Sequence, residues 1–132
     1  MDQKPGSIGW FEHHSSDSNQ VRLFYKEVCN WEMSPTPMET EAGHHDDWTA
    51  MNGNDAVFGI IQSFPGFESY KGWLPYFIVE DIFSAKARAE QSGAKELHHI
   101  VTAEGYGVWC ALRDPQGVPF ALFQPDRPSN AE

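Results

Sequence analysis

Three features are missing from this sequence, and each absence narrows what the chain can be. No apolar run approaches the roughly 20 residues that span a bilayer. Residues 1–5 do not form the basic and then apolar start of a secretory signal. The two cysteines, Cys29 and Cys110, lie too far apart in sequence to form a metal or redox motif. We therefore predict reduced, packed thiols and a soluble, cytoplasmic protein.

Basic residues are also scarce. The chain has 9 Lys and Arg against 19 Asp and Glu, which gives a formal net charge of −10. No basic stripe is available to neutralise phosphates, so neither nucleic acid nor a membrane is an expected partner. Apolar residues are plentiful by comparison. Of the 132 residues, 40% are hydrophobic and 14% are aromatic, which is enough for the core of one domain over residues 1–132.

The first half of the chain begins with a predicted strand and helix. The strand covers residues 7–13, and Ser16, Asp17 or Ser18 can cap the helix that follows. Four apolar residues of this helix fall at positions i, i+3, i+4 and i+7, which is the spacing of one buried face. We expect all four in the core: Val21, Phe24, Tyr25 and Val28.

Three further segments complete this half. Residues 32–38 form a weak strand whose two prolines assign it to an edge. Residues 39–47 are predicted to be an exposed acidic loop. Residues 48–51 and 56–62 then form a hairpin around the Asn-Gly-Asn-Asp turn at 52–55. The result is a βαβββ module over about residues 7–62, followed by a linker at 63–72.

The second half, over about residues 73–125, repeats this order. A strand at 73–79 leads to a helix that is capped by Asp81 and stopped by Gly93. Its core face consists of Ile82, Ala85 and Ala89. Strands follow at 95–102, 107–113 and 119–124, and the last two are joined by the Asp-Pro-Gln-Gly turn at 114–117.

Two landmarks measure the repeat. Asp17 and Asp81 are 64 positions apart, and the turns that begin at Asn52 and Asp114 are 62 apart. Two nearly equal offsets indicate a duplicated unit. The predicted fold class is therefore α+β, with two βαβββ modules that form a curved mixed sheet. Each helix covers one face of that sheet, and the opposite, concave face is left for a pocket.

The order of several short motifs resembles the glyoxalase/bleomycin-resistance/dioxygenase superfamily, also called vicinal oxygen chelate (VOC) proteins. Module one has Asp17, then Phe-Tyr at 24–25 and Asn-Trp at 30–31. Module two has WLPYFIVED at 73–81, DPQG at 114–117 and FALFQP at 120–125. The resemblance covers about residues 7–125 and is strongest to a branch of paired glyoxalase-like domains described as hydroxylases. It implies a glyoxalase-like curved sheet.

The resemblance also implies a divalent metal on the concave face, held by one His or Glu from the first and last strand of each module. The matching positions in this chain are occupied by Trp10, Gly59, Leu74 and Ala121. None of these side chains ligates a metal ion. We therefore predict a branch that lacks the family's metal ligands, with no metal centre of that kind and no cofactor. Glyoxalase I and extradiol dioxygenase activities are not expected.

Three histidine doublets are a separate feature, at residues 13–14, 44–45 and 98–99. Adjacent residues of a strand point to opposite faces, so each doublet supplies at most one ligand to a face. We interpret them as surface or edge histidines, with 44–45 in the exposed loop. A displaced metal site built from different doublets remains an alternative.

Strand alternation predicts which side chains line a metal-free pocket. In the final hairpin Ala111 should pair with Ala121 and Trp109 with Phe123, and in module one Thr49 should pair with Gly59. Aromatic rings on this face can stack on flat or cationic ligands. Glu12 can act as a general base or pair with a positive group. The candidate ligand-binding residues are Trp10, Glu12, Thr49, Tyr76, Trp109 and Phe123.

Three functions remain open on these grounds, including a structural or regulatory partner domain whose own side chains fill the pocket. The first is a glyoxalase/bleomycin-resistance-like protein that binds a small planar or aromatic molecule in a metal-free concave pocket. The alternative is a VOC-superfamily enzyme of the lyase, hydroxylase or dioxygenase type, with a displaced His-based metal site as one version. No catalytic residue is identified. Exposed edge strands, and the pairing that is usual in such families, also predict a homodimer.

Overall fold

The computed structural model describes residues 3–40, 43–64, 66–68 and 70–126, which form two compact units. The first unit is Phe11–Leu74, and the second consists of Met1–Trp10 and Pro75–Glu132. Among the described residues, no helix combines the length and apolar character needed to cross a membrane. The elements, in chain order, are β1 (Ile8–Ser15), α1 (Ser18–Cys29), β2 (Glu32–Thr40), β3 (Gly43–Asn52), β4 (Asp55–Gln62), β5 (Gly72–Ile78), α2 (Ile82–Gln91), β6 (Lys95–Ala103), β7 (Gly107–Arg113) and β8 (Pro119–Pro125).

This order confirms the predicted α+β fold with two βαβββ modules. In the first unit the strands lie in the order β2-β3-β4-β1, with β1 and β4 parallel and the other pairs antiparallel. In the second unit the order is β5-β8-β7-β6, with β5 and β8 parallel. Each unit therefore repeats the same mixed sheet, with its first and last strands as parallel neighbours.

The helix starts repeat as well. Asp17 caps α1 by accepting a hydrogen bond from the N–H of Gln20, and Asp81 caps α2 by accepting from the N–H groups of Phe83 and Ser84. Asp81 was predicted from the sequence, and Asp17 was one of three candidate caps for the first helix. A carboxylate at this position satisfies N–H groups that have no partner within the helix.

A second helix-start contact was not predicted. The N–H of Ser18 donates to Oε1 of Gln62 at 2.8 Å, and the N–H of Ile82 donates to Oε1 of Gln124 at 2.9 Å. In each unit, the glutamine near the end of the last strand thus binds the first residue of the helix. The two glutamines are 62 positions apart, which is the offset of the hairpin turns.

Each helix packs an apolar stripe on one face of its own sheet. Ile82 and Ala85 of α2 pack with Cys110, Leu112 and Leu122. On α1 the stripe is narrower than predicted: Val21 and Tyr25 pack on the sheet, whereas Phe24 is 57% and Val28 is 60% exposed. The prediction that these last two residues lie in the core is wrong. Phe24 is rotated about 100° from Tyr25 around the helix, and Val28 lies in the final turn.

The predicted acidic loop at residues 39–47 is also wrong. Strand β2 continues to Thr40 and β3 begins at Gly43, so His44 and His45 lie on a strand. The two prolines of β2 predicted an edge strand, and the strand order confirms it. They are tolerated because β2 is the outermost strand in the order of its unit. Cys29 likewise departs from prediction, because it is exposed, whereas Cys110 is buried as expected.

Candidate functional site

The register of the second unit matches the prediction. Ala111 pairs with Ala121 and Trp109 pairs with Phe123 across β7 and β8. The cause is the turn at 114–117, where Gly117 adopts φ 87° and its N–H donates to the carbonyl of Asp114. Glycine allows this left-handed conformation at little cost.

Aromatic side chains form a row on the sheet face opposite α2. The ring centroids of Tyr76 and Trp109 are 6.0 Å apart. Tyr76 is buried, while Trp109 and Phe123 are partly buried. Two small residues lie between Tyr76 and β6 on this face. Tyr76 pairs with Ala121, which pairs with Ala111, which pairs with His98 of β6. Three of the six predicted site residues therefore lie together on this face.

His98 extends the aromatic row, and sequence reasoning did not include it. Its imidazole stacks on the indole of Trp109 at 4.8 Å between centroids and 21° between planes. His99 stacks in turn on His98 at 4.6 Å. The register irregularities of β6 on both sides of His98 allow neighbouring histidines to stack, where a regular strand would point them to opposite faces.

Two other predicted residues lie on the face opposite α1 in the first unit. Thr49 pairs with Gly59, as predicted, and Glu12 pairs with the same glycine from the other side. Glu12 and Thr49 thus flank a residue without a side chain. Trp10 belongs to the second unit and is partly buried. The binding role of all six residues remains a prediction.

His14 lies on the same face as Glu12. Its Nε2 is 3.0 Å from Oε1 of Glu12, and only 1% of the residue is exposed. The rings of Phe67 and Tyr70 lie 4.8 Å and 5.7 Å from the imidazole. Its Nδ1 has no hydrogen-bond partner among the described residues. A buried polar atom of this kind costs free energy and calls for an explanation.

Asp47 is a buried carboxylate on this face, with 7% exposure. Its Oδ1 accepts a hydrogen bond from the N–H of Gln62 at 2.9 Å and lies 3.4 Å from Nε2 of His45. Burial raises the pKa of Asp47, and the negative charge of Glu12 adds to this, while the Gln62 N–H and nearby imidazoles oppose it. The face thus carries two carboxylates and two imidazoles.

This polar group was missed because residues 39–47 were assigned to a loop. The missed signal is alternation along β3, where Trp48 and Ala50 point toward α1, so that Asp47 and Thr49 must point away. The repeat offsets add a second signal. Glu12 corresponds to Tyr76 at 64 positions, and Asp47 corresponds to Trp109 at 62. Equivalent positions are therefore polar in the first unit and aromatic in the second.

His13 points to the opposite face and packs against α1. Its ring lies edge-on to Tyr25 and Trp73, at 5.8 Å and 5.1 Å between centroids. Burial is the main cause that lowers the pKa of His13, and the neighbouring His14 adds to it. The surroundings favour a neutral imidazole within a core.

The residues present do not fit the metal that VOC proteins hold. The four matching positions offer an indole, a hydrogen atom, an isobutyl group and a methyl group, at Trp10, Gly59, Leu74 and Ala121. No group of three or more His, Cys, Asp or Glu in the described part of the chain is arranged to hold a metal ion. No chemical step is therefore assigned to a metal ion.

A surface depression of about 660 Å³ lies elsewhere in the second unit, at the start of α2. It contains none of the six predicted site residues. Its lining is mostly polar and charged: Val79, Glu80, Asp81, Phe83, Arg88 and Gln124.

Comparison with known proteins identifies relatives of this fold. The model of a family described as "Glyoxalase-like domain" matches residues 10–123. None of the curated proteins compared with the chain matches it.

Solved structures agree with the family match. A hypothetical protein from Bacillus halodurans C-125 is similar with a TM-score of 0.63 at 9% identity, covering 94% of this chain and 97% of its own. A glyoxalase/bleomycin resistance protein/dioxygenase superfamily member from Vibrio splendidus 12B01 is similar with a TM-score of 0.52 at 17% identity, covering 87% and 96%. A glyoxalase I mutant from Zea mays has a TM-score of 0.58 at 17% identity, and the match covers 89% of this chain but 43% of the maize chain. At these identities the likeness establishes the fold alone.

Proposed function

The chain belongs to the glyoxalase-like domain family, and from that premise we propose that it binds a small planar, aromatic molecule without a metal ion. The ring-binding residues are Tyr76, Trp109 and Phe123, with Trp10 as a further contact of the same unit. Glu12 and Thr49, in the first unit, are proposed as polar ligand contacts.

The stacking of His98 on Trp109 carries this proposal. The imidazole lies nearly parallel to the indole at 4.8 Å, so one face of Trp109 already accepts a flat ring. Offset-parallel contacts of this kind are favourable for aromatic ligands as well. The formal net charge of −10 disfavours anionic ligands at long range, which leaves neutral and cationic molecules as the preferred classes.

Binding of indole, quinoline and 2-naphthol tests the proposal. Affinities are measured by isothermal titration calorimetry for the wild type and for Trp109→Ala. Stacking on an aromatic side chain contributes about 1–3 kcal/mol per ring. We therefore expect a dissociation constant about 10- to 100-fold higher for W109A.

Tyr106→Ala is the matched control. It removes an aromatic ring from the same unit, at a residue that is 73% exposed and lies between β6 and β7. Its affinities should equal those of the wild type. Equal affinities for W109A and the wild type, or no binding of any of the three compounds, contradict the proposal.

We also propose a homodimer. The outermost strands of the two units, β2 and β6, present backbone groups that a second chain can pair with or cover. Light scattering coupled to gel filtration should give about twice the chain mass of 14.9 kDa. The mass of a single chain at micromolar concentration would contradict a dimer.

A further inference from the structure

Two carboxylates share the sheet face opposite α1, on strands that flank β4. Glu12 pairs with Gly59 of β4, and Asp47 lies two residues before Thr49, which pairs with the same glycine. Strands two apart are separated by roughly 10 Å. The side chains of Glu12 and Asp47 start from opposite sides of β4. Each needs to cover only part of these roughly 10 Å for both carboxylates to contact one small ligand group.

Among the described residues, no Lys or Arg forms an ion pair with Asp47, and the only side chains that offset its charge are imidazoles. One partner of Asp47 is a backbone N–H, and another is the imidazole of His45 at 3.4 Å. Asp47 is nonetheless buried, and the charge of Glu12 disfavours its ionisation further. A buried carboxylate is costly unless a positive group pairs with it. A ligand cation supplies that group.

His14 is an independent sign that this face is built for a ligand. It is almost fully buried among aromatic rings, where an apolar side chain would pack without an unsatisfied Nδ1. The other ring nitrogen of His14, Nε2, lies 3.0 Å from Oε1 of Glu12. This contact fixes the carboxylate of Glu12 in place, so its orientation is already set when a ligand arrives.

An organic cation fits these groups better than a metal ion does. The described residues contain no cluster of His, Cys, Asp or Glu with the arrangement that a metal ion needs. Ammonium and amidinium groups instead donate several charge-assisted N–H bonds, which carboxylate and hydroxyl oxygens accept. The net charge of −10 also attracts cations at long range.

We propose that Glu12 and Asp47 bind the positively charged group of a small amidine or amine, with the hydroxyl of Thr49 as a third polar contact. The inference goes beyond the proposed function and does not rest on it, because all three contacts belong to the first unit. It adds a charge preference, carried by residues of the first unit.

Benzamidine and benzamide form a matched pair of probes. They have the same planar ring and nearly the same size, but only benzamidine is charged at pH 7. We expect benzamidine to bind at least tenfold more tightly than benzamide by calorimetry. The difference should shrink in high salt, which screens the attraction. It should also shrink as the pH falls, because the pKa of Asp47 is raised and its carboxylate takes up a proton; the charged groups that act on Asp47 are Glu12, His14 and His45.

Glu12→Gln and Asp47→Asn locate the charge preference. A hydrogen bond to a charged group is worth more than a neutral one, so each variant should weaken benzamidine binding about 10- to 100-fold. Benzamide binding should change by less than about threefold. Asn can still accept the N–H of Gln62, so Asp47→Asn should keep the fold, which its thermal melt verifies. Glu27→Gln, on the exposed side of α1, is the control and should bind benzamidine like the wild type.

The outcomes separate this inference from the proposed function. If both probes bind equally, the charge preference is wrong, whereas binding of the neutral aromatic compounds is tested separately by Trp109→Ala. A preference for benzamidine that survives both Glu12→Gln and Asp47→Asn contradicts the assigned residues. Absence of benzamidine binding also overturns the inference, whatever the neutral compounds do.

Discussion

The paired contacts of Gln62 and Gln124 give a sharp test of how the fold is built. Replacing either glutamine by Met keeps the length of the side chain and removes the amide oxygen. The N–H of Ser18 or of Ile82 then loses its acceptor, at residues that are 3% and 0% exposed. Because Ser18 and Ile82 are themselves buried, hydration replaces the lost acceptor only in part.

The expected magnitude follows from the burial of these N–H groups. An unsatisfied buried donor costs about 1–3 kcal/mol. The entropy of unfolding is about 2.1 cal/mol/K per residue, so a chain of this length loses about 4–11 °C of melting temperature for that cost. The two variants should fall in the same range because the two contacts are equivalent in the repeat.

Glutamate should restore stability at both positions. Gln→Glu keeps an acceptor oxygen at the same place, and the start of a helix attracts negative charge. We expect melting temperatures within about 3 °C of the wild type for the Glu variants. The N-cap carboxylates Asp17 and Asp81 oppose any further gain.

Scanning calorimetry at pH 7 measures the whole series. Gln20→Met and Gln91→Met are matched controls on exposed helix positions and should shift the melting temperature by less than about 2 °C. Shifts for Gln62→Met and Gln124→Met no larger than those of the controls would contradict a stabilising role of the two contacts. So would Glu variants that are as unstable as the Met variants.

Further predictions concern pH and thiol chemistry. His13 has a lowered pKa in the folded chain, so its neutral form is favoured there. The free energy of unfolding should be highest above pH 6.5, the ordinary pKa of histidine, and should fall as the pH drops below it toward the lowered value. Urea titrations of the wild type and His13→Gln between pH 7.5 and 5.5 should show a smaller loss in the variant, and equal losses would contradict this. Burial raises the pKa of Cys110 to about 11, whereas Cys29 is exposed. Iodoacetamide at pH 8 should therefore modify only Cys29 in the native protein, as mass spectrometry can show, and both thiols after unfolding. Rapid modification of Cys110 in the native protein would contradict its burial.

The fold was predictable because its signals are local and are repeated. Asp17 and Asp81 mark helix starts by a chemistry that depends on few neighbours. The turn at 114–117 fixes the register of β7 and β8, which in turn set the pairing of Trp109 with Phe123. The family resemblance rests on the same motifs and agreed with the helix starts and with the register of the last hairpin.

The polar face of the first unit was not predictable in the same way. His45 and Asp47 lie in a stretch whose composition is typical of loops, and the strand there is stabilised by pairing with β2 and β4. Tertiary pairing overrides local propensity in such strands. Likewise, the helix pattern of α1 could not reveal that Phe24 remains exposed, because the width of a buried stripe depends on the sheet beneath it.

The most direct test of the account is a nitrogen-15 NMR titration with the tightest aromatic ligand. The chain has five tryptophans, and each indole N–H gives one signal. The signal of Trp109 should shift most, and the signals of Trp31 and Trp48, which pack on the α1 side of the first unit, should remain in place. Saturable binding that leaves Trp109 unchanged while another tryptophan shifts would contradict the proposed binding face.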